Sequence, residues 1–193
     1  MRTLAVIEFL TVDGVMQGLG SPDEDTEGGF EHGGWGAPYA EAIHASAEDR
    51  LGETTAYLFG RKTYEKMASF WPFQPDTNPI AAHMNATTKY VATRSLTSLE
   101  WPGSRVLEGP LDTAVSALKR DGDGTIAVLG SGVLAQELMS SELVDELRLF
   151  VHPLLLGTGK RLFRELPAPR TLQLTDVRTT NLGTLVLRYT VRP

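Results

Sequence analysis

An α/β fold is predicted for this chain, with a mixed, mostly parallel sheet between two layers of helices and an antiparallel hairpin at the C-terminus. Three observations predict it. Strand-like and helix-like segments alternate along most of the chain. The opening segment, Leu4-Ala5-Val6-Ile7-Glu8-Phe9-Leu10, is nearly continuously apolar, as in a strand buried on both faces. The last two strand-like segments flank Asn181-Leu182-Gly183, a turn sequence that suits antiparallel pairing.

The first strand ends at Asp13-Gly14. Residues 17–36 are rich in glycine and carry the acidic run Asp23-Glu24-Asp25, so a long solvated loop is expected there, of a kind that is often functional. Pro38 opens a helix through about Arg50. Tyr57-Leu58-Phe59 is a short strand, and Arg61 to Ala68 a helix stopped near Trp71-Pro72. Lys89 to Thr93 and Val106-Leu107 are further strands, and Leu111 to Lys119 is a helix with Leu111, Val115 and Leu118 at helical spacing. Asp121-Gly122-Asp123-Gly124 turns into strand Thr125 to Leu129, and Gly130-Ser131-Gly132 leads into helix Val133 to Met139. Glu146 to Leu156 reads as a long apolar strand, and Thr171 to Arg178 with Leu185 to Val191 as the hairpin. No repeat or Pro- or Ser-rich linker divides the 193 residues, so one domain spanning residues 1–193 is expected. A chain of that size hides roughly 70% of its unfolded surface, enough for a core with a ligand cleft.

Composition narrows the function. With 41% hydrophobic and 22% charged residues the chain is neither disordered nor membrane-spanning in type. Acidic residues outnumber basic ones by 24 to 18 and no Lys/Arg stripe forms, so nucleic acid is not an expected partner. The apolar start is too short, and with Glu8 too polar, for a signal peptide or a membrane span. The absence of cysteine removes disulfides, thiolate nucleophiles and Cys-bound zinc, and a cytoplasmic location is expected. His32, His44, His83 and His152 have no metal-ligand spacing, so no metal is expected.

The chemistry is expected at two glycine turns, each leading from a strand into a helix. A helix start exposes unpaired N–H groups and the positive end of its dipole, and so favours phosphate. At the first turn, Gly60-Arg61-Lys62-Thr63, two cations and a hydroxyl are added, a combination that favours NADPH over NADH. Thr93-Arg94-Ser95, at the end of the next strand, offers another cation and hydroxyl to the same extra phosphate. At the second turn, Gly130-Ser131-Gly132-Val133-Leu134-Ala135 satisfies the Rossmann pattern G-x-G-x-x-A. The next strand, however, carries no acidic residue at its C-terminal end to bind a ribose; His152-Pro153 stands there. Ser131 lacks the flanking glycines of a nucleophile elbow, which argues against an esterase.

In order along the chain, Thr11-Val12-Asp13-Gly14-Val15-Met16, Phe59-Gly60-Arg61-Lys62-Thr63-Tyr64-Glu65 and Val128-Leu129-Gly130-Ser131-Gly132 resemble the dihydrofolate reductase-like superfamily. The closer similarity is to its riboflavin-biosynthesis reductase branch, the RibD C-terminal domain-like proteins, and to a stand-alone bacterial member of it. Leu143-Val144-Asp145-Glu146 and the run Pro153 to Phe163 extend the likeness over nearly the whole chain. The resemblance implies a three-layer αβα fold with an eight-stranded mixed sheet, and NADPH across the strand ends. It implies that Gly60, Arg61 and Thr63 face the adenosine phosphates and that Thr93 and Arg94 lie near the 2′-phosphate. It further places Gly130 to Gly132 under the pyrophosphate, with Val133 and Leu134 following, and Val15 and Met16 beside the nicotinamide. A homodimer is a further implication. The helix carboxylate that anchors pterin in dihydrofolate reductases has no decisive match among Glu41, Glu48 and Asp49.

The expected reaction is hydride transfer from NADPH to a C=N or C=O bond of a small heterocycle, a phosphoribosylaminouracil-like aminopyrimidine or a pterin such as dihydrofolate. Asp13 is the candidate for substrate contact or proton delivery, with Glu27 and Glu31 as weaker acids of the same kind. Trp35, Phe70 and Trp71 are candidates for stacking on a planar substrate. The alternative is a non-catalytic module that keeps the fold for ligand binding or dimerisation.

Overall fold

The computed structural model describes residues 1–40, 51–164 and 166–192. Eight strands form one sheet: β1 (Thr3–Thr11), β2 (Thr54–Gly60), β3 (Lys89–Ala92), β4 (Ser104–Val106), β5 (Thr125–Leu129), β6 (Glu146–His152), β7 (Leu172–Thr179) and β8 (Leu185–Val191). Their spatial order is β4-β3-β2-β5-β1-β6-β8-β7. Every pair from β4 to β6 is parallel, and β6-β8-β7 is antiparallel. The mixed sheet with its terminal hairpin is the arrangement the sequence predicts.

Four helices are described: α1 (Arg61–Phe70), α2 (Pro79–Ala86), α3 (Leu111–Arg120) and α4 (Gly132–Ser140). On one face of the sheet, Leu4, Val6, Leu58 and Val128 pack with Val115 of α3 and Leu134 and Leu138 of α4. On the other, Tyr57 and Phe59 pack with Tyr64 of α1 and Ile80 and Met84 of α2. Three layers result. β1 lies between β5 and β6, and Leu4, Ala5 and Val6 have no exposure, which accounts for its continuous apolar run.

Two segments differ from the sequence expectation. α2 was not expected, although its start is marked: Asn78 accepts from the N–H groups of Ile80 and Ala81, and Pro79 occupies the first turn. β6 stops at His152 rather than reaching Leu156. Pro153 has no N–H to extend the ladder, and the Leu154 N–H turns back to the His152 carbonyl at 2.7 Å. Pro38 lies in a short 3-10 turn, Ala37–Tyr39, while the remainder of the helix expected there, with Glu41, Glu48 and Asp49, falls outside the described residues. Among the described residues, no helix is long and apolar enough to cross a membrane.

Candidate cofactor and substrate site

The parallel strands end on one edge of the sheet, and β2 and β5 are neighbours there. The chain leaves β2 through α1 onto one face and leaves β5 through α4 onto the other. Adjacent strands that part in this way leave a crevice at their C-terminal ends, the common position of ligands in open α/β sheets. Among the described residues, a cleft of about 1800 Å³ opens there. Its walls include Met16, Gly60 to Thr63, Thr93, Arg94 and Gly130 to Leu134.

The two glycine turns are joined across this crevice. Ser131 Oγ accepts from the Gly60 N–H at 2.9 Å and donates to Thr63 Oγ1 at 2.7 Å. A side chain on Gly60 would crowd this joint, since a Cβ there would stand 3.3 Å from Ser131 Cβ. Gly130 and Ser131 are both left-handed, with φ of 60° and 64°. For serine that conformation costs about 1–2 kcal/mol, and the two hydrogen bonds help to offset it. Gly132 opens α4 with Met16 against it, because an added Cβ would lie 2.5 Å from Met16 Sδ. The missing side chains therefore let Ser131 and Met16 close on the two turns, whose glycines stand in the wall of the cleft.

The cations of the first turn already have partners in their own chain. Arg61 bonds Glu65 one helical turn away at 2.9 and 3.0 Å. Lys62 pairs with Glu27 at 3.1 Å, Lys66 with Glu24 at 3.3 Å, and Lys160 with Asp25 at 2.6 Å and Glu27 at 2.7 Å. The acidic loop is thus strapped along the rim. The hydrogen bonds from Lys160 and Lys62 hold the Glu27 carboxyl below the usual carboxylate range. Buried Gln17 fixes the strap from beneath, donating to the carbonyls of Asp25 and Glu27 and accepting from the Lys160 N–H.

Other predicted residues are placed differently from one another. Asp13 is not part of the cleft wall; its carboxylate accepts from Thr11 Oγ1 at 2.6 Å, the Gly157 N–H at 2.8 Å and the Leu156 N–H at 3.3 Å. The Thr11 hydrogen bond, ahead of the two backbone bonds, lowers its pKa, so it is a clasp between loops and a poor proton donor. Trp35 is a core residue, not a stacking platform: it is buried with Val15 and Phe30, and its indole N–H donates to the Gln17 carbonyl. Glu31 and Phe70 are exposed and lie outside the cleft wall, whereas Trp71 is part of it. Thr93 Oγ1 accepts from the N–H groups of Ser95 and Leu96, shaping the loop that carries Arg94 to the cleft.

Two buried polar residues with an atom that lacks a partner, Glu8 and His152, were not among the candidates. Glu8 is 3% exposed, Oε1 has no partner, and burial pushes its carboxyl up to about 8. Its signal was visible as the single acid in an apolar strand. His152, fully buried on the opposite face, holds Thr184 Oγ1 at 2.9 Å through Nδ1, while Nε2 has no partner. Burial pushes His152 down to about 4. Nothing in the sequence shows that this histidine lies against Tyr39 and Trp35, with ring centroids at 4.6 and 5.5 Å.

The sheet order and the crevice define an α/β protein with an open, mixed sheet and a cleft at the ends of its parallel strands. The model of the RibD C-terminal domain family matches residues 2–187, and the chain belongs to that family. Uncharacterized protein YyaP of Bacillus subtilis (strain 168) is 28% identical over 144 residues, covering 73% of this chain and 76% of its own length. Among solved structures, a Shewanella sp. PV-4 protein assigned provisionally to riboflavin biosynthesis has a TM-score of 0.70 at 16% identity, with 100% of both chains covered. A pyrimidine reductase-like protein of Corynebacterium diphtheriae has a TM-score of 0.60 at 14% identity, covering 100% of this chain and 92% of that one. RibD of Acinetobacter baumannii has a TM-score of 0.59 at 16% identity, and this chain spans 59% of its length. At these identities the structural likeness bears on the fold.

Proposed function

We propose that the chain is an NADPH-dependent reductase acting on a small heterocycle, an aminopyrimidine sugar phosphate or a pterin. The observation that carries this reading is the joint of Ser131 with Gly60 and Thr63, which fuses two phosphate-type turns into one crevice. Family membership and the pyrimidine reductase-like and RibD neighbours agree with it. NADPH, when bound, supplies the hydride. The amides of the Gly130–Gly132 turn would hold the pyrophosphate, Arg61, Lys62 and Arg94 the adenosine phosphates, and Met16 would shield the ring from water.

A second reading, a non-catalytic ligand-binding module, is favoured by one observation: Glu27 already spans Lys62 and Lys160. Titration with NADPH and NADH separates the two. The reductase reading expects NADPH to bind more tightly and then to be oxidised with a pterin or aminopyrimidine; binding without turnover on either class supports the module. The proposal extends to a homodimer, supported by the outer strand β7, where Leu174 and Val177 are 49% and 53% exposed. Light scattering at the monomer mass would remove that part.

A further inference from the structure

Glu8 sits on the sheet face of Val6 and Leu10, the face covered by α4. Level with it across the sheet are Leu149 of β6 and Gly130, just past the end of β5, neither of which brings a donor side chain. α4 adds Leu134, Ala135 and Leu138 to the same cluster. The contrast with Glu146, the other buried carboxylate among the described residues, is plain: Glu146 holds both Arg148 and Arg188. A buried polar atom left without a partner costs about 1–3 kcal/mol, and such groups in clefts mark positions that a ligand completes.

Glu8 also belongs to the wall of the cleft, together with Met16, Gly130 and Gly132. β5 ends at Leu129, whereas β1 continues beside β6 to Thr11, so past Gly130 the β5 side of β1 has no strand beside it. We propose that Glu8 contacts the cofactor, its carboxyl pairing with the carboxamide of a nicotinamide ring that lies in the cleft over Met16 and the Gly130–Gly132 turn. The proposal rests on the dinucleotide reading above.

Position and chemical complementarity together select the carboxamide: an adenine edge offers the same donor and acceptor, but on the reading above the adenosine end lies with Arg61, Lys62 and Arg94. The phosphates offer only acceptors, so they could take one hydrogen bond from a neutral carboxyl and return none. A carboxamide offers one carbonyl and an amino group. A neutral carboxyl group gives its O–H to that carbonyl and receives an N–H on its own C=O, so two parallel hydrogen bonds close one ring. The upward shift of Glu8 to about 8 keeps the neutral form at pH 7. Aliphatic neighbours maintain that state.

The test compares NADPH with its reduced 3-acetylpyridine analogue, in which a methyl group replaces the amide nitrogen. Affinities are measured by tryptophan fluorescence, since Trp71 is part of the cleft wall. The wild-type protein is expected to favour NADPH by about tenfold, the worth of a good hydrogen bond. Glu8→Leu, which matches its apolar surroundings, should bind the two within about twofold of each other; Glu8→Gln, which keeps a donor and an acceptor, should retain the preference. If Glu8→Leu retains the wild-type preference, or the wild type has none, the pairing is overturned while NADPH binding stands. Failure of the wild type to bind either dinucleotide overturns both readings.

Discussion

The first and second glycine turns share a strand-to-helix geometry and differ in what surrounds them. Gly60 to Thr63 is a charged rim: Arg61 and Lys62 are exposed enough to exchange partners and are paired with Glu65 and Glu27. Gly130 to Leu134 carries no charge, has two consecutive left-handed residues and packs against Met16 and the core. Under the reading proposed above, the contrast would give selectivity between cofactors to the first turn and the shape of the cradle to the second. Exposed ion pairs contribute little to stability, which leaves the cations available to a phosphate.

The most severe way to break this comparison is Gly132→Val. A branched side chain would enter the space of Met16, and dinucleotide affinity is expected to fall by about a hundredfold or more while circular dichroism stays native. Unchanged binding would sink the cradle assignment. Arg61→Ala should weaken NADPH by about tenfold and NADH little, because only NADPH loses a charged partner; equal losses in a paired titration would remove Arg61 from the 2′-phosphate. Glu27→Gln should act in the opposite direction, since it leaves Lys62 and Lys160 without that shared carboxylate. An affinity gain of about threefold for NADPH is expected, within the worth of an exposed pair, and a loss would show that the strap helps to hold the cofactor.

A smaller effect separates the rim from the interior. Glu8 has a folded pKa of about 8 against 4.5 unfolded, so its contribution to stability is full below pH 4.5 and is lost as pH rises toward 8. His152 has the reverse slope. Its folded value of about 4 lies below 6.5, so stability is lost as pH falls from 6.5 toward 4. Between pH 4.5 and 6.5 the two slopes oppose each other, so thermal melts of the ligand-free protein should change little there and decline from pH 6.5 toward 8, and Glu8→Leu should flatten that alkaline decline by a few degrees, at about 2–4 °C per kcal/mol. Equal alkaline slopes in wild type and variant would show that Glu8 finds a partner in solution.

Much of the fold was legible because its signals are local. Continuous apolar runs marked the buried parallel strands, and Gly130-Ser131-Gly132 and Gly60 marked the turns. α2 escaped because it is short and apolar, and only Asn78-Pro79 announces it. The end of β6 was misread because Pro153 interrupts a run that otherwise stays apolar. At the site, the glycines were visible but their joint was not: Ser131 reaches Gly60 across 71 positions, a distance over which sequence carries no periodic signal. The settings of Asp13 and Trp35 are hidden in the sequence for a related reason. Their partners, Gly157 and Gln17, decide whether each is a reactive group or a structural one.

The central place of β1 also shapes how the chain is made. β1 emerges first, yet both of its neighbours, β5 and β6, come more than a hundred residues later. At about 5–20 residues per second it waits on the order of ten seconds, a long and largely apolar strand with no partner on either edge. During that wait Glu8 is in water at its ordinary acidity and therefore charged, and a charge within an apolar strand discourages pairing with other chains. The residue that stands neutral in the finished cleft guards the nascent strand until β5 and β6 arrive.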